Sequence, residues 1–592
     1  MRSKLVILLV AALVAVTGCA TVPSGGDPID YTQVADPGTQ VRETTPADGL
    51  SPQEIVRGFV AAGARIDQDL PLVAARSYLT DAAKVSWRTD QGGVMILSAS
   101  PRYDVLTGPS GAGDTVQLSG TSDGYLASDG SYVPTPRTEF TVAIALVQVN
   151  GEWRIQNPPE QLILSVSDFN LAFTQREVYF LNHAGTLVVP DRRWLPNSSL
   201  SPGTLVSRLV DSLIAGPSTP LIGAVRNSLQ GARPRVPITA TADGVLQVDL
   251  TGLPSLTAAA ARGVAAELVY TLRLDAARIR ILVDGTPLDA NQAIWTTGVL
   301  GSFDPDGVPG SGPTSTVGYY VTDQGAVVNL RGVPLSGNAG TGELAAVSAG
   351  MSAATGDLAV VGGPEGAQTL YVGAPLAPEP MEPRLTAQTF TPPSFSRSGD
   401  EVWTVINGAT SPEVVRLLTD GSRYPVDSSS LAGLGPVTGL ALSSDGARVA
   451  VVADGGLYLA SVIYADDATA GGDSGGGSGV ATVGVPVRLR NDLTVRTVLW
   501  SNSLNLLVAA SDPASTYRAV WRIGVDGRQR SALSTRGIVA DVDAVGATGA
   551  LPTLISSGGV ILQLRGDDSS GDWVPVDPEG ATAVGRWPLY PA

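Results

Sequence analysis

The sequence predicts a multidomain fold, α+β in its first half and all-β in its second. Between residues 51 and 296, apolar stripes at helical spacing alternate with short β-like runs. From residue 317 onward, a strand, small-polar turn, strand phrase recurs five times. The 592 residues include 69 Gly and 42 Pro, many between short apolar runs, which favours turns and β-structure. With 43% hydrophobic and 16% charged residues, the chain reads as packed rather than disordered.

Residues 1–18 read as an export signal. Arg2 and Lys4 precede an apolar run from Leu5 to Val16. That run has the length of a signal core and falls short of the about 20 residues a span needs. It ends in Val16-Thr17-Gly18-Cys19, which holds the only cysteine. These four positions resemble the lipobox of bacterial lipoproteins. The resemblance implies cleavage before Cys19, a diacylglycerol thioether on its sulfur and acylation of the new amino group, and such multiple acylation anchors durably. The alternative is an ordinary secreted protein with an incidental cysteine. One cysteine cannot form an intrachain disulfide, and a lipidated one is lost to zinc binding and nucleophilic catalysis.

Residues 19–47 lack hydrophobic periodicity and contain Pro23, Gly25, Gly26, Pro28, Pro37, Gly38 and Pro46, so they read as a flexible tether. As a coil, about 28 residues span about 30 Å. The formal net charge is −17, and −19 once Arg2 and Lys4 leave with the signal. Nucleic-acid binding needs a basic surface and is disfavoured, so no nucleic-acid partner is expected. An anionic bilayer would also repel the body, leaving the lipid to hold it.

Residues 48–168 open with Ser51-Pro52-Gln53-Glu54, a helix cap with Pro at the first position and Glu closing a capping box. Ile55, Val56, Phe59 and Val60 form the apolar stripe, and a second helical stretch ends near Leu79. Strands VMILSA and TVQLSG follow, then a hairpin at Asn150-Gly151 with Phe140, Val142, Ile144 and Leu146 alternating before the turn. Helices before a curved antiparallel sheet resemble the NTF2-like α+β fold, here with plain hydrophobes filling the inside.

Residues 173–296 run in the order VYFLN, TLVVPDRRW, LVDSLIAGP, GVLQVDLTG, ELVYTL, IRILVDGTPL. Leu205, Val206, Leu209, Val210, Leu213 and Ile214 form a helix stripe closed by Gly216-Pro217, and Thr257 caps a second helix. The phrases LIAGP, VDLTG and LVDG in this order resemble the GerMN domain, an α+β module of interaction type. Residues 297–316 read as a linker. Its Asp304-Pro305-Asp306-Gly307 suggests a calcium loop, but position 12 is Ser315 where a bidentate Glu is needed.

Residues 317–592 carry the repeats, with turn residues Gly356, Gly399, Gly446, Ser503 and Gly549 aligned. Each repeat has about four strands, as in a propeller blade. The longest interval contains the insert DDATAGGDSGGGSG. VGYYVTDQGAVVNLRGVPL before the first repeat and ATAVGRWPLY after the last supply the two parts of a closing blade. The prediction is a β-propeller of about six blades; the alternative is a β-sandwich.

The sequence shows no catalytic constellation. His183, the only histidine, falls in a hairpin turn between strands. The insert lacks the Gly-Lys-Ser/Thr ending of a phosphate loop. Asp-Gly pairs at 445–446, 454–455 and 526–527 read as turn chemistry. Trp403, Trp500, Trp521, Trp573 and Trp587 fall in blade strands and read as packing between blades. The expectation is a non-enzyme without cofactor or metal.

The whole-chain order of lipobox, tether, α+β domain, GerMN module and propeller, with the ending ATAVGRWPLYP, resembles the LpqB-type lipoproteins of actinobacteria. The resemblance implies an accessory of the MtrA–MtrB two-component system that meets the extracytoplasmic part of the sensor kinase and serves envelope homeostasis and division. It implies a lipid-anchored protein on the outer face of the cell membrane, with Cys19 as the residue that carries over. The alternative is a propeller that binds wall glycan. A hydrolase would need converging carboxylates.

Overall fold

A computed structural model of the chain describes residues 46–65, 72–88, 93–106, 114–197, 202–307, 317–375, 380–465, 479–490, 492–549 and 551–591. Residues 46–592 form one compact unit.

The first domain begins as its cap predicts. The Ser51 hydroxyl accepts from the Glu54 N–H while the Glu54 carboxylate accepts from the Ser51 N–H at 2.8 Å, and helix Pro52–Gly63 follows. Ile55, Val56, Phe59 and Val60 are buried against a seven-stranded sheet. In the Asn150-Gly151 hairpin, strand Glu139–Val149 pairs antiparallel with Glu152–Ile155. Leu162–Ser165 joins beside Val94–Leu97 in parallel, a crossover the sequence did not show. The second helical stretch is split: a short turn, Val73–Arg76, precedes helix Asp81–Ser86, which Thr80 caps. Thr80 breaks the stretch because its hydroxyl accepts from Ala83 N–H, the geometry of a new helix start.

In the second domain, strands Phe173–Asn182 and Val188–Pro196 pair antiparallel through the His183 turn. Helices Pro202–Ala215 and Ala258–Leu272 pack on this hairpin and on the parallel pair Leu246–Thr251 and Ile279–Val283. The Thr257 hydroxyl accepts from Ala260 N–H, closing the cap read from sequence. Leu300 and Phe303, placed by sequence in the linker, are buried in this domain's core. A short apolar tail with no period of its own carries no sequence signal for burial.

The last domain is a propeller. Among the described residues its sheets form six blades, five of them continuous in sequence. The sixth is composite: Gly585–Leu589, at the C-terminus, is the inner strand, and Tyr319–Thr322 and Val327–Asn329 complete it. Gly356, Gly399 and Gly446 take φ of 76°, 79° and 73°, which explains why this turn position repeats as glycine. The third blade carries an extra strand pairing, Ala481–Val483 with Gly456–Tyr464, at the foot of the insert.

The tryptophans tie blades together. Trp500 Nε1 donates to Ala441 O of the neighbouring inner strand at 2.9 Å, and Trp587 Nε1 donates to Ala349 O at 2.8 Å. Trp403 and Trp573 are buried, with Nε1 donating to Glu401 and to Ser534 O. Trp521 is half-buried between blades, with the Arg530 guanidinium over its ring.

Candidate functional site: the three-domain junction

In an antiparallel blade, the turns after the first and third strands lie at the same end. At that end of the third and fourth blades, the propeller meets both other domains. The contact strand is Val188–Pro196. Its first eight residues are all buried, including Asp191, Arg192 and Arg193. Three adjacent buried charges in a strand demand partners, because an unpaired buried charge is costly.

Each charge has its partner. Arg193 Nη2 lies 2.7 Å from Asp191 Oδ2, and Asp191 also accepts from the N–H and hydroxyl of Ser218, each at 2.7 Å. Arg193 Nη1 reaches across to Asp129 O of the first domain. Arg192 Nη1 lies 3.3 Å from Asp526 Oδ1, in the turn after the third strand of the fourth blade. The other oxygen of Asp526 accepts from Trp194 Nε1 at 3.1 Å. Higher on the contact, Arg448 Nη1 donates to Pro190 O and Asn182 Nδ2 donates to Asp445 O.

Two residues beyond Asp526, Arg528 enters an aromatic cage. Its guanidinium carbon lies 4.3 Å from the Phe169 ring centre, 5.2 Å from Trp194 and 5.4 Å from Tyr132. Two of these rings belong to the first domain and one to the second, so one propeller side chain holds both. A desolvated cation over an aromatic face contributes up to about 2 kcal/mol. Gly527 sets the turn that aims both side chains; its φ is 71°, and a Cβ there would strike the Leu489 carbonyl. A cavity of about 90 Å³ remains at the junction, lined by Tyr132, Pro190, Leu221, Leu459, Val487 and Val525 among others.

The 304–307 stretch is bound rather than loose. Asp306 accepts from the N–H and hydroxyl of Ser503 at 2.6 and 2.8 Å, and the Arg397 guanidinium donates to Pro305 O and Gly307 O. Its carboxylate therefore serves as an anchor on the propeller rim. Burial pushes the Asp306 carboxyl above the ordinary range.

The other sequence candidates fall as follows. Cys19 lies outside the described residues, as do Asp466 and Asp467, the acidic pair that opens the insert DDATAGGDSGGGSG. His183 sits in its turn, half-buried, with its ring 5.3 Å from Tyr464 of the third blade. The Asp526-Gly527 pair, read as turn chemistry, is the centre of the junction. Sequence reasoning missed Arg528, Trp194 and Phe169; the signal available was DRRW, charges inside an otherwise apolar strand.

Two α+β domains docked on a propeller are the class the fold and junction define. Three family profiles match the chain: the lipoprotein LpqB N-terminal domain over residues 45–170, the sporulation and spore germination domain over 177–289, and the lipoprotein LpqB beta-propeller domain over 318–591. Lipoprotein LpqB of Rhodococcus jostii (strain RHA1) is 30% identical, covering 100% of this chain and 98% of its own. That of Rhodococcus opacus (strain B4) is 31% identical with the same coverage. The chain belongs to the LpqB lipoprotein family. Among solved structures, TolB from Acinetobacter baumannii aligns with a TM-score of 0.34 at 10% identity, over 72% of this chain and 89% of that one, too loose a likeness for functional inference. Among the described residues no helix is long and apolar enough to cross a membrane.

Proposed function

We propose that the chain is a non-enzymatic accessory of a two-component sensor kinase of the MtrB type, lipid-anchored through Cys19 on the outer face of the cell membrane, and that it tunes envelope homeostasis and division. The observation that carries this reading is the junction: buried ion pairs and a caged arginine fix three interaction-type modules in one arrangement. A body of fixed shape shifts a kinase equilibrium by binding one of its states better than another. The lone histidine, packed against Tyr464 in a hairpin turn, supports a role without catalysis. The lipobox supports the location.

Crosslinking in cells, followed by identification of contacts, tests the partnership. The kinase's outer domain should be recovered with the intact chain and lost when a contacting domain is deleted. Its reproducible absence would refute the proposal. A Cys19→Ala chain should fold unchanged yet leave the membrane fraction after salt washing. A second reading, a propeller that binds wall polymer, is favoured by one observation, an open polar cleft between two blades.

A further inference from the structure

That cleft, about 650 Å³, opens between the fourth and fifth blades. Its walls are the turns after the first strands, near Asn502 and Thr548, and the turn after the fifth blade's third strand, near Arg565. It thus lies at the same end of the propeller as the domain junction. Among the described residues, the Gln563 amide, the Arg565 guanidinium and the hydroxyls of Thr548 and Thr553 have no hydrogen-bond or ion-pair partner. Beside them, Arg522 Nη1 lies 2.5 Å from Asp568 Oδ2, both partly exposed.

We propose that this cleft binds a carboxylate-bearing saccharide of one or two rings. The proposal makes the wall-polymer reading specific and rests on it; it does not depend on the kinase. The volume is that of a small-molecule site. Sugar hydroxyls need partners that both donate and accept, and a Gln amide and Thr hydroxyls supply both. The unpaired Arg565 fork matches a carboxylate, and the Arg522–Asp568 pair adds a fixed donor and acceptor. A peptide would instead ask for a free strand edge or apolar sockets. These walls are hairpin turns with mostly polar side chains. Among the described residues no aromatic ring lines the cleft, so recognition runs through polar contacts rather than stacking.

The test is calorimetric titration of the detergent-solubilised full-length protein with N-acetylmuramic acid and with N-acetylglucosamine, which lacks the carboxylate-bearing group. The acid sugar should bind saturably and about tenfold more tightly. Arg565→Ala should erase that preference, and Gln563→Ala should weaken both sugars several-fold. Both variants should keep the parent's thermal midpoint, because neither side chain has a partner to lose. No saturable binding, equal binding of the two sugars, or an unchanged preference in Arg565→Ala would overturn the proposal. Sedimentation with purified wall polymer runs alongside. Retention on polymer without binding of either sugar would sink the cleft assignment and leave the broader reading standing. Loss of both would remove the two together.

Discussion

Replacing Asp526 with Ala should loosen the junction without disturbing the cores on either side. The substitution leaves Arg192, 4% exposed, without the carboxylate 3.3 Å away, and leaves Trp194 Nε1 without its acceptor. Removing one partner of a buried pair costs about 3–5 kcal/mol. Glu177, 3.8 Å from Arg192 Nε, remains and holds the figure at the lower end, about 3 kcal/mol. At 1.36 kcal/mol per decade, that is a rise of about 160-fold in the open population of the contact. Hydrogen exchange should therefore accelerate by about that factor in peptides covering 188–196 and 524–530, while peptides from the blade strands stay protected. Asp526→Asn retains a carbonyl oxygen for Trp194 but no charge for Arg192, and should fall between. Unchanged exchange in both peptides of Asp526→Ala would refute the view that this carboxylate holds the domains together.

Further outcomes follow from the same geometry. Gly527→Ala forces a positive φ on an L side chain and drives a Cβ into the Leu489 carbonyl; it should reproduce the junction loosening at about 1–3 kcal/mol, read by the same exchange peptides. Glu267 lies fully buried in helix Ala258–Leu272, and burial pushes its carboxyl up to about 8 despite the N–H groups of Ser228 and Leu181 that it accepts from. Because the folded pKa is raised, its stability contribution is complete below the unfolded value near 4.5 and is lost as pH rises through about 8. Glu267→Gln should lack that slope, so the difference in thermal midpoint between the two proteins should change across this window. Trp587→Phe loses the bond to Ala349 O and should lower propeller stability by about 1 kcal/mol, seen as a reduced denaturant midpoint.

The sequence showed local chemistry best. Ser51 with Glu54, Thr257 ahead of an Ala-rich helix, Asn150-Gly151, and glycine at 356, 399 and 446 each act within a few residues, and each sits where its pattern placed it. The composite blade was legible because two half-repeats, one at each end of the propeller domain, were each too short to be a blade alone. The domain contacts were not legible. Arg528 meets Phe169, Trp194 and Tyr132, each more than three hundred residues away along the chain, and no periodicity links them. Asp526-Gly527 illustrates the limit: its turn was evident, but the carboxylate's work depends on a strand from another domain. Leu300 and Phe303 were placed in the linker for the same reason, since burial of a short segment is decided by the surface it meets.

The composite blade also bears on how the chain is made. Its inner strand lies at the C-terminus, and Trp587 reaches a carbonyl 238 residues earlier. A chain emerging N-terminus first can pair the strands of each continuous blade as they appear, but Tyr319–Thr322 has no inner neighbour until Gly585–Leu589 arrives. The ring is thus a record of completion: a chain cut short before its last strand leaves an open sheet edge, the kind of surface that aggregates or is proteolysed. Only a full-length chain can seal itself.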